Sequence, residues 1–110
     1  MKINDIVLVS FPFTNMSGEK VRPALILSVP SSGDVIVAFI TSQLIESEYI
    51  VSVLPDKYNC LKKPSIIRLD KLATLSREII KAKLGNLDFN KIPEIKNKLN
   101  LLFKISKRAE

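Results

Sequence analysis

Ser65-Ile66-Ile67-Arg68-Leu69-Asp70 is an apolar run that carries an arginine and a carboxylate two residues apart. Read as a β-strand, it sends successive side chains to opposite faces, so Arg68 and Asp70 share a face with their Cα atoms roughly 7 Å apart. Two readings fit that pair. One is an exposed ion pair on a half-buried sheet. The other is a site in which one group accepts a proton while its neighbour steadies developing negative charge, as phosphoryl transfer requires.

On the N-terminal side, Tyr49 to Leu54 reads as a strand stopped by Pro55, and Asp56 to Pro64 as a polar, basic connection with Lys57, Lys62 and Lys63. Val35 to Ile40 is an earlier apolar run. The turn signal Pro30-Ser31-Ser32-Gly33-Asp34 joins it to Ala24 to Ser28 as a hairpin. Arg22 precedes Pro23, which pushes it to extended geometry and places it at the mouth of that strand. Thr41 and Ser42 stand where the third strand ends. A hydroxyl there either donates to a phosphate oxygen or satisfies its own backbone in a turn. Thr14 to Lys20, with Gly18, reads as a loop, and Asp5 to Phe11, ended by Pro12, as the first strand. Five short strands with brief connections predict a small β-barrel or sandwich.

Beyond Asp70 the β pattern weakens. Ser76 can cap a short helical turn through Arg77 and Glu78, and Ile80 to Leu84 alternates like a short edge strand closed by Gly85-Asn86. The last segment reads as a helix, with Asp88 or Asn90 as its cap and Pro93 in its first turn. Ile92, Ile95, Leu99 and Leu102 recur at helical spacing, a stripe expected to pack on the sheet, with a membrane-surface helix as the alternative. Lys104 to Glu110 are expected to fray.

The 110 residues suit one domain with a single core. The net charge of +6 is uneven: residues 1–55 hold three Lys/Arg against five Asp/Glu, and residues 56–110 hold fourteen against six. The excess lies in the half that contains Arg68. It serves either to attract nucleic acid or an acidic protein segment, or simply to keep the protein soluble. There is no histidine, so the usual neutral-pH acid/base and the commonest metal ligand are missing. Cys60 is the lone cysteine, without the spacing of a zinc site or a partner for an intrachain disulfide, which fits a reducing cytoplasm. The run Ile6-Val7-Leu8-Val9 is too short for a signal-peptide core or a membrane span.

Four motifs in order carry a resemblance: Asp5-Ile6-Val7-Leu8-Val9, Val21-Arg22-Pro23-Ala24-Leu25, Ile40-Thr41-Ser42, and Ile66-Ile67-Arg68-Leu69-Asp70 followed by Thr74-Leu75. Across nearly its whole length the chain resembles the MazF/PemK family of type II toxin endoribonucleases. The resemblance implies a mainly β, SH3-like barrel of the MazF/CcdB type with a short helical turn and a C-terminal helix, and a homodimer. It further implies cleavage of single-stranded RNA without metal or cofactor, and neutralisation by a cognate antitoxin whose disordered tail covers the site.

Carried over residue by residue, the family's catalytic positions fall on Arg22, Thr41, Arg68 and Asp70. The nucleophile would be the RNA's own 2′-hydroxyl. Asp70 would accept its proton, Arg22 and Arg68 would clamp the scissile phosphate through forked donors, and Thr41 would add a hydroxyl donor. Asp70 bound to Arg68 would be a poorer base, so orienting the arginine is its other expected role. RNA contacts are expected from Asp5, from the loop residues Asn15, Ser17, Glu19 and Lys20, and from Ser42 and Ser65. The chain departs from many members in having Ile3-Asn4-Asp5 where an Arg-Gly pair precedes the acidic residue, and in a short first loop without histidine. The related CcdB toxins, which bind DNA gyrase without chemistry, offer an alternative, as does a member that binds RNA or antitoxin but no longer cuts. The CcdB reading lacks its C-terminal tryptophan here.

Overall fold

The computed structural model describes residues 1–12 and 19–104. Six antiparallel strands form one sheet: β1 (Asp5–Pro12), β2 (Glu19–Ser28), β3 (Asp34–Thr41), β4 (Ile50–Val53), β5 (Ser65–Ser76) and β6 (Ile80–Asn86). Their order is β4-β5-β3-β2-β1-β6. A C-terminal helix, α1 (Ile92–Phe103), follows. The mainly β class, the helical turn after Ser76 and the final helix are all as the sequence predicts.

The central strands read as continuous apolar runs because both of their faces are buried. One face gathers Ile6, Leu25, Ala38, Ile40, Val51, Ile67 and Leu69, and Ile95 and Leu99 of α1 pack on it. The other gathers Val7, Val9, Ala24, Ile26, Val35, Val37 and Leu75, edged by Ile79 and Ile80. Fully burying one such side chain contributes about 1.5–3 kcal/mol relative to exposure, so these two clusters are the main source of stability.

The expected hairpin forms between β2 and β3. Gly33, at φ +98°, closes its turn with a 3.2 Å bond from its N–H to the Pro30 carbonyl, and Arg77 Nε donates to the Gly33 carbonyl at 2.8 Å. Ser76 caps a 3-10 turn (Arg77–Ile79), its Oγ accepting from the Glu78 N–H at 3.2 Å.

Three expectations are corrected. β5 does not weaken after Asp70 but runs to Ser76. Its ladder with β3 jumps from Phe39↔Arg68 to Ala38↔Leu72, so Leu69 to Lys71 bulge out and break the alternation the sequence shows. β2 begins at Glu19, which puts Glu19 and Lys20 in a strand rather than a loop and Arg22 inside the strand rather than at its mouth. Asp88 caps not α1 but a preceding 3-10 turn (Phe89–Lys91), accepting from the Asn90 N–H at 2.9 Å. Helix α1 starts without a side-chain cap, with Pro93 in its first turn, and no described helix is long and apolar enough to cross a membrane. Lys98 ties the helix to the sheet, donating to the Ile50 carbonyl at 2.6 Å and to Glu94 at 3.1 Å.

Candidate nucleic-acid interface

The ladder between β2 and β3 begins at Ala24↔Phe39. Upstream of it, Glu19 to Pro23 pair with β1, and Ile40 and Thr41 pair with β5. The two strands therefore part, and a groove of about 450 Å³ opens between them. Pro23 sits at the parting, where the N–H it lacks is not needed for a ladder to β3. One wall of the groove is Lys20 to Pro23. The other is Ile40 to Ser42, with Cys60 to Lys63 and Ser65 at the rim.

The groove thus brings together five expected site residues: Lys20, Arg22, Thr41, Ser42 and Ser65. Lys62 and Lys63 join them, residues whose role the sequence signals only as an adjacent pair of lysines before Pro64. Among the described residues, none of these four cations forms an ion pair. Their positive charge is left to the solvent and to any anion that enters. Thr41 Oγ1 accepts from the Gln43 N–H at 3.0 Å, so the turn reading of this hydroxyl is realised, yet its own hydrogen has no acceptor among the described residues. Ser65 Oγ is committed to the Lys63 carbonyl at 2.8 Å, which fixes the backbone of the lysine pair.

Arg68 and Asp70 do not line the groove. Pairing places Arg68 opposite Phe39 and Ile66 opposite Thr41, so Arg68 and Thr41 share a sheet face as diagonal neighbours, roughly 7–8 Å apart. Arg68 grips Asp70 in a two-pronged fork, Nε to Oδ1 at 3.1 Å and Nη2 to Oδ2 at 2.7 Å, with the side chains 25% and 28% exposed. The hydrogen bonds from Arg68 hold the Asp70 carboxyl below the usual carboxylate range, and the same bonds raise the arginine. A carboxylate with both oxygens engaged is a weak proton acceptor. It is well suited to fix the guanidinium plane.

Asp5 does not line the groove. Its side chain is 2% exposed, Oδ2 accepts from the Lys2 N–H at 3.0 Å, and Oδ1 lies 3.3 Å from Lys83 Nζ without hydrogen-bond alignment. Its charge therefore faces Lys83 of β6. Asn15 and Ser17 lie outside the described residues, as does the side chain of Glu19.

The rim is held by a connection that spends its polar groups on itself. Asp56 Oδ1 accepts from the N–H groups of Tyr58 and Asn59 at 2.8 and 2.7 Å. Asn59, 1% exposed, accepts at Oδ1 from Asp56 and Leu61 N–H and donates from Nδ2 to the Leu54 carbonyl. This knot sits on Gly85, where a Cβ would lie 2.9 Å from the Asn59 carbonyl oxygen and collide with the Tyr58 carbonyl.

The chain is similar in fold to several solved toxins. It aligns with MazE-MazF (Form-II) from Deinococcus radiodurans at a TM-score of 0.78 and 22% identity, covering 96% of this chain and 97% of that one. An endoribonuclease in complex with its cognate antitoxin from a Mycobacterial species aligns at 0.77 and 15%, covering 98% and 99%. The Mycobacterium tuberculosis toxin MazF-mt6 aligns at 0.71 and 23%, covering 91% and 98%. No curated protein matches the sequence. Residues 2–103 match a family directly, and by that match the chain belongs to the PemK-like, MazF-like toxins of type II toxin–antitoxin systems.

Proposed function

We propose that the protein is a toxin endoribonuclease that cuts single-stranded RNA without a metal ion, acting in the cytoplasm as a homodimer and restrained by a cognate antitoxin that covers the groove. The observation that carries this reading is the groove itself, which Arg22 and three lysines line together with Thr41, none of the four in an ion pair among the described residues, with the Arg68/Asp70 fork on the adjoining row. Such a surface recognises a phosphate backbone before it recognises any base.

In the proposed reaction the 2′-oxygen of the RNA attacks the adjacent phosphorus and loses its proton to solvent. The bond from phosphorus to the 5′-oxygen breaks, and that oxygen takes up a proton. The products are a 2′,3′-cyclic phosphate, or a 3′-phosphate after hydrolysis, and a 5′-hydroxyl. Arg22 and Arg68 stabilise the extra negative charge on the phosphoryl oxygens, since forked guanidinium donors match them and remain charged at any relevant pH. Thr41 adds one donor. Asp70 acts as a positioning residue for Arg68. Cuts at particular sequences would then stop translation and growth.

The test is incubation of the protein with mixed-sequence single-stranded RNA in excess EDTA, followed by mapping of the new ends. Cleavage that leaves 5′-hydroxyl ends and is lost in Arg22→Ala supports the reading. Intact RNA at stoichiometric enzyme overturns it.

A further inference from the structure

A second cavity, of about 420 Å³, lies on the other side of the connection that forms the groove's rim. Its walls come from Lys2 to Asp5, Tyr58, and Asn86 to Phe89. Leu84 of β6 faces the groove and Asn86 faces this cavity, two residues and roughly 7 Å apart along one strand. The groove and the cavity are therefore neighbouring stations on one surface.

Two observations mark the cavity as a binding site rather than a gap. The first is Asn4, 8% exposed, whose backbone is fully used: its N–H donates to the Ile26 carbonyl and its carbonyl accepts from the Leu87 N–H, both at 2.9 Å. Its side-chain amide makes no hydrogen bond among the described residues, although it lines the cavity. The amide atoms line an open cavity and are free to meet a ligand that offers both an acceptor and a donor. The second is a pair of aromatic rings at the same cavity, Phe89 and Tyr58, which are 76% and 58% exposed, with Lys57 Nζ 5.2 Å from the Tyr58 ring centroid.

We infer that this cavity holds one unpaired base of the bound RNA, stacked on Phe89 and read at its edge by the Asn4 amide. The inference rests on the RNA reading above. An amide offers a donor and an acceptor side by side, the pattern that base edges complement, and an exposed ring supplies a face on which any base stacks. A volume of this size suits a nucleoside-sized ligand. The charges around it, Lys2 with Asp5 and Asp88, balance more closely than those of the groove, which fits a neutral base here and the phosphates there.

Two measurements test it. In the first, adenosine, guanosine, cytidine and uridine 5′-monophosphates are titrated into the protein and amide shifts are followed by NMR. The expected result is movement of residues 4, 58 and 86–89, abolished by Phe89→Ala and shifted in base preference by Asn4→Asp, which tolerates the same left-handed backbone at φ 77°. In the second, affinity is measured for 2′-O-methyl RNA, which has no free 2′-oxygen to attack. Phe89→Ala should weaken binding by about 5- to 150-fold. That loss should vanish for the one oligonucleotide that is abasic at the position bound here.

Unmoved resonances at these residues, or an unaltered RNA affinity in Phe89→Ala, would overturn the base site. If wild-type affinity is high and the Phe89→Ala protein is unaffected, the RNA reading survives and the site alone fails. If wild type binds no RNA, both fail. A Phe89→Ala protein that keeps its nucleotide response but passes from dimer to monomer in sedimentation also overturns the proposal, because the cavity is then an interface between copies.

Discussion

The rim connection around Asn59 and the parted strands around Arg22 lie side by side and treat polarity in opposite ways. In the connection, Asp56 and Asn59 between them make five hydrogen bonds to the chain's own backbone. In the groove, Lys20, Arg22, Lys62 and Lys63 engage no carboxylate among the described residues. The first arrangement holds a shape. The second holds a charge in readiness, and it depends on the first, because Lys62 and Lys63 leave directly from the knot. The contrast teaches that stability and binding are assigned to separate side chains here, so mutations should separate them as well.

The largest expected effect breaks the charged side. Arg22→Ala should lower RNA cleavage by about 100- to 1,000-fold, the scale for removing one donor to a transition-state oxyanion, while leaving the melting temperature within a degree or two of wild type. A large fall in melting temperature would mean that Arg22 belongs with the structural residues. Next comes the structural side. Asn59→Ala removes the hub of the knot and should cost about 2–3 kcal/mol in urea unfolding, with Gly85→Ala comparable through its backbone collision. Unchanged urea midpoints would show that the connection is held by something other than these bonds.

Asp70→Asn tests the boundary between the two classes. If Asp70 only orients Arg68, cleavage should fall by about tenfold or less, and the pH–rate profile should keep its acidic limb. A loss of about 100- to 10,000-fold with that limb abolished would make Asp70 the base. The smallest effect is on stability against pH. Because the Asp70 carboxyl is depressed by Arg68, its contribution is present above the ordinary carboxylate range near pH 4 and is lost as pH falls through its lower folded value. The half-exposed setting limits it to a fraction of a kcal/mol. The stability difference between wild type and Asp70→Asn should therefore shrink below about pH 4 and stay flat above pH 5.

Much of the same contrast is legible in the sequence. The apolar runs and the Gly33 turn mark five strands, and strand alternation places Arg68 and Asp70 together, because these signals are local. What escapes is whatever depends on how strands separate. The parting of β2 from β3 arises from the ends of two ladders, and no spacing within either strand records it. The bulge at Leu69 to Lys71 escapes for the same reason: it is a mismatch between β5 and β3, visible only once they pair. Asp5, read as an RNA contact, is buried and lies beside Lys83, which β6 brings from 78 residues away. Asn4 carries a faint signal, an asparagine before the first strand, which its left-handed backbone explains.

Where β2 leaves β3, residues 19–23 present a strand edge that, among the described residues, is paired on one side only. An open edge is a template for any extended chain, including another copy of this protein in a cross-β stack. The same two residues that shape the groove also guard it. Pro23 withholds an N–H from a would-be partner strand, and Lys20 places a charge that an apolar stack cannot accommodate. Replacing both with β-branched residues would therefore cost more than affinity for a polyanion, because it would turn the groove's wall into an adhesive edge.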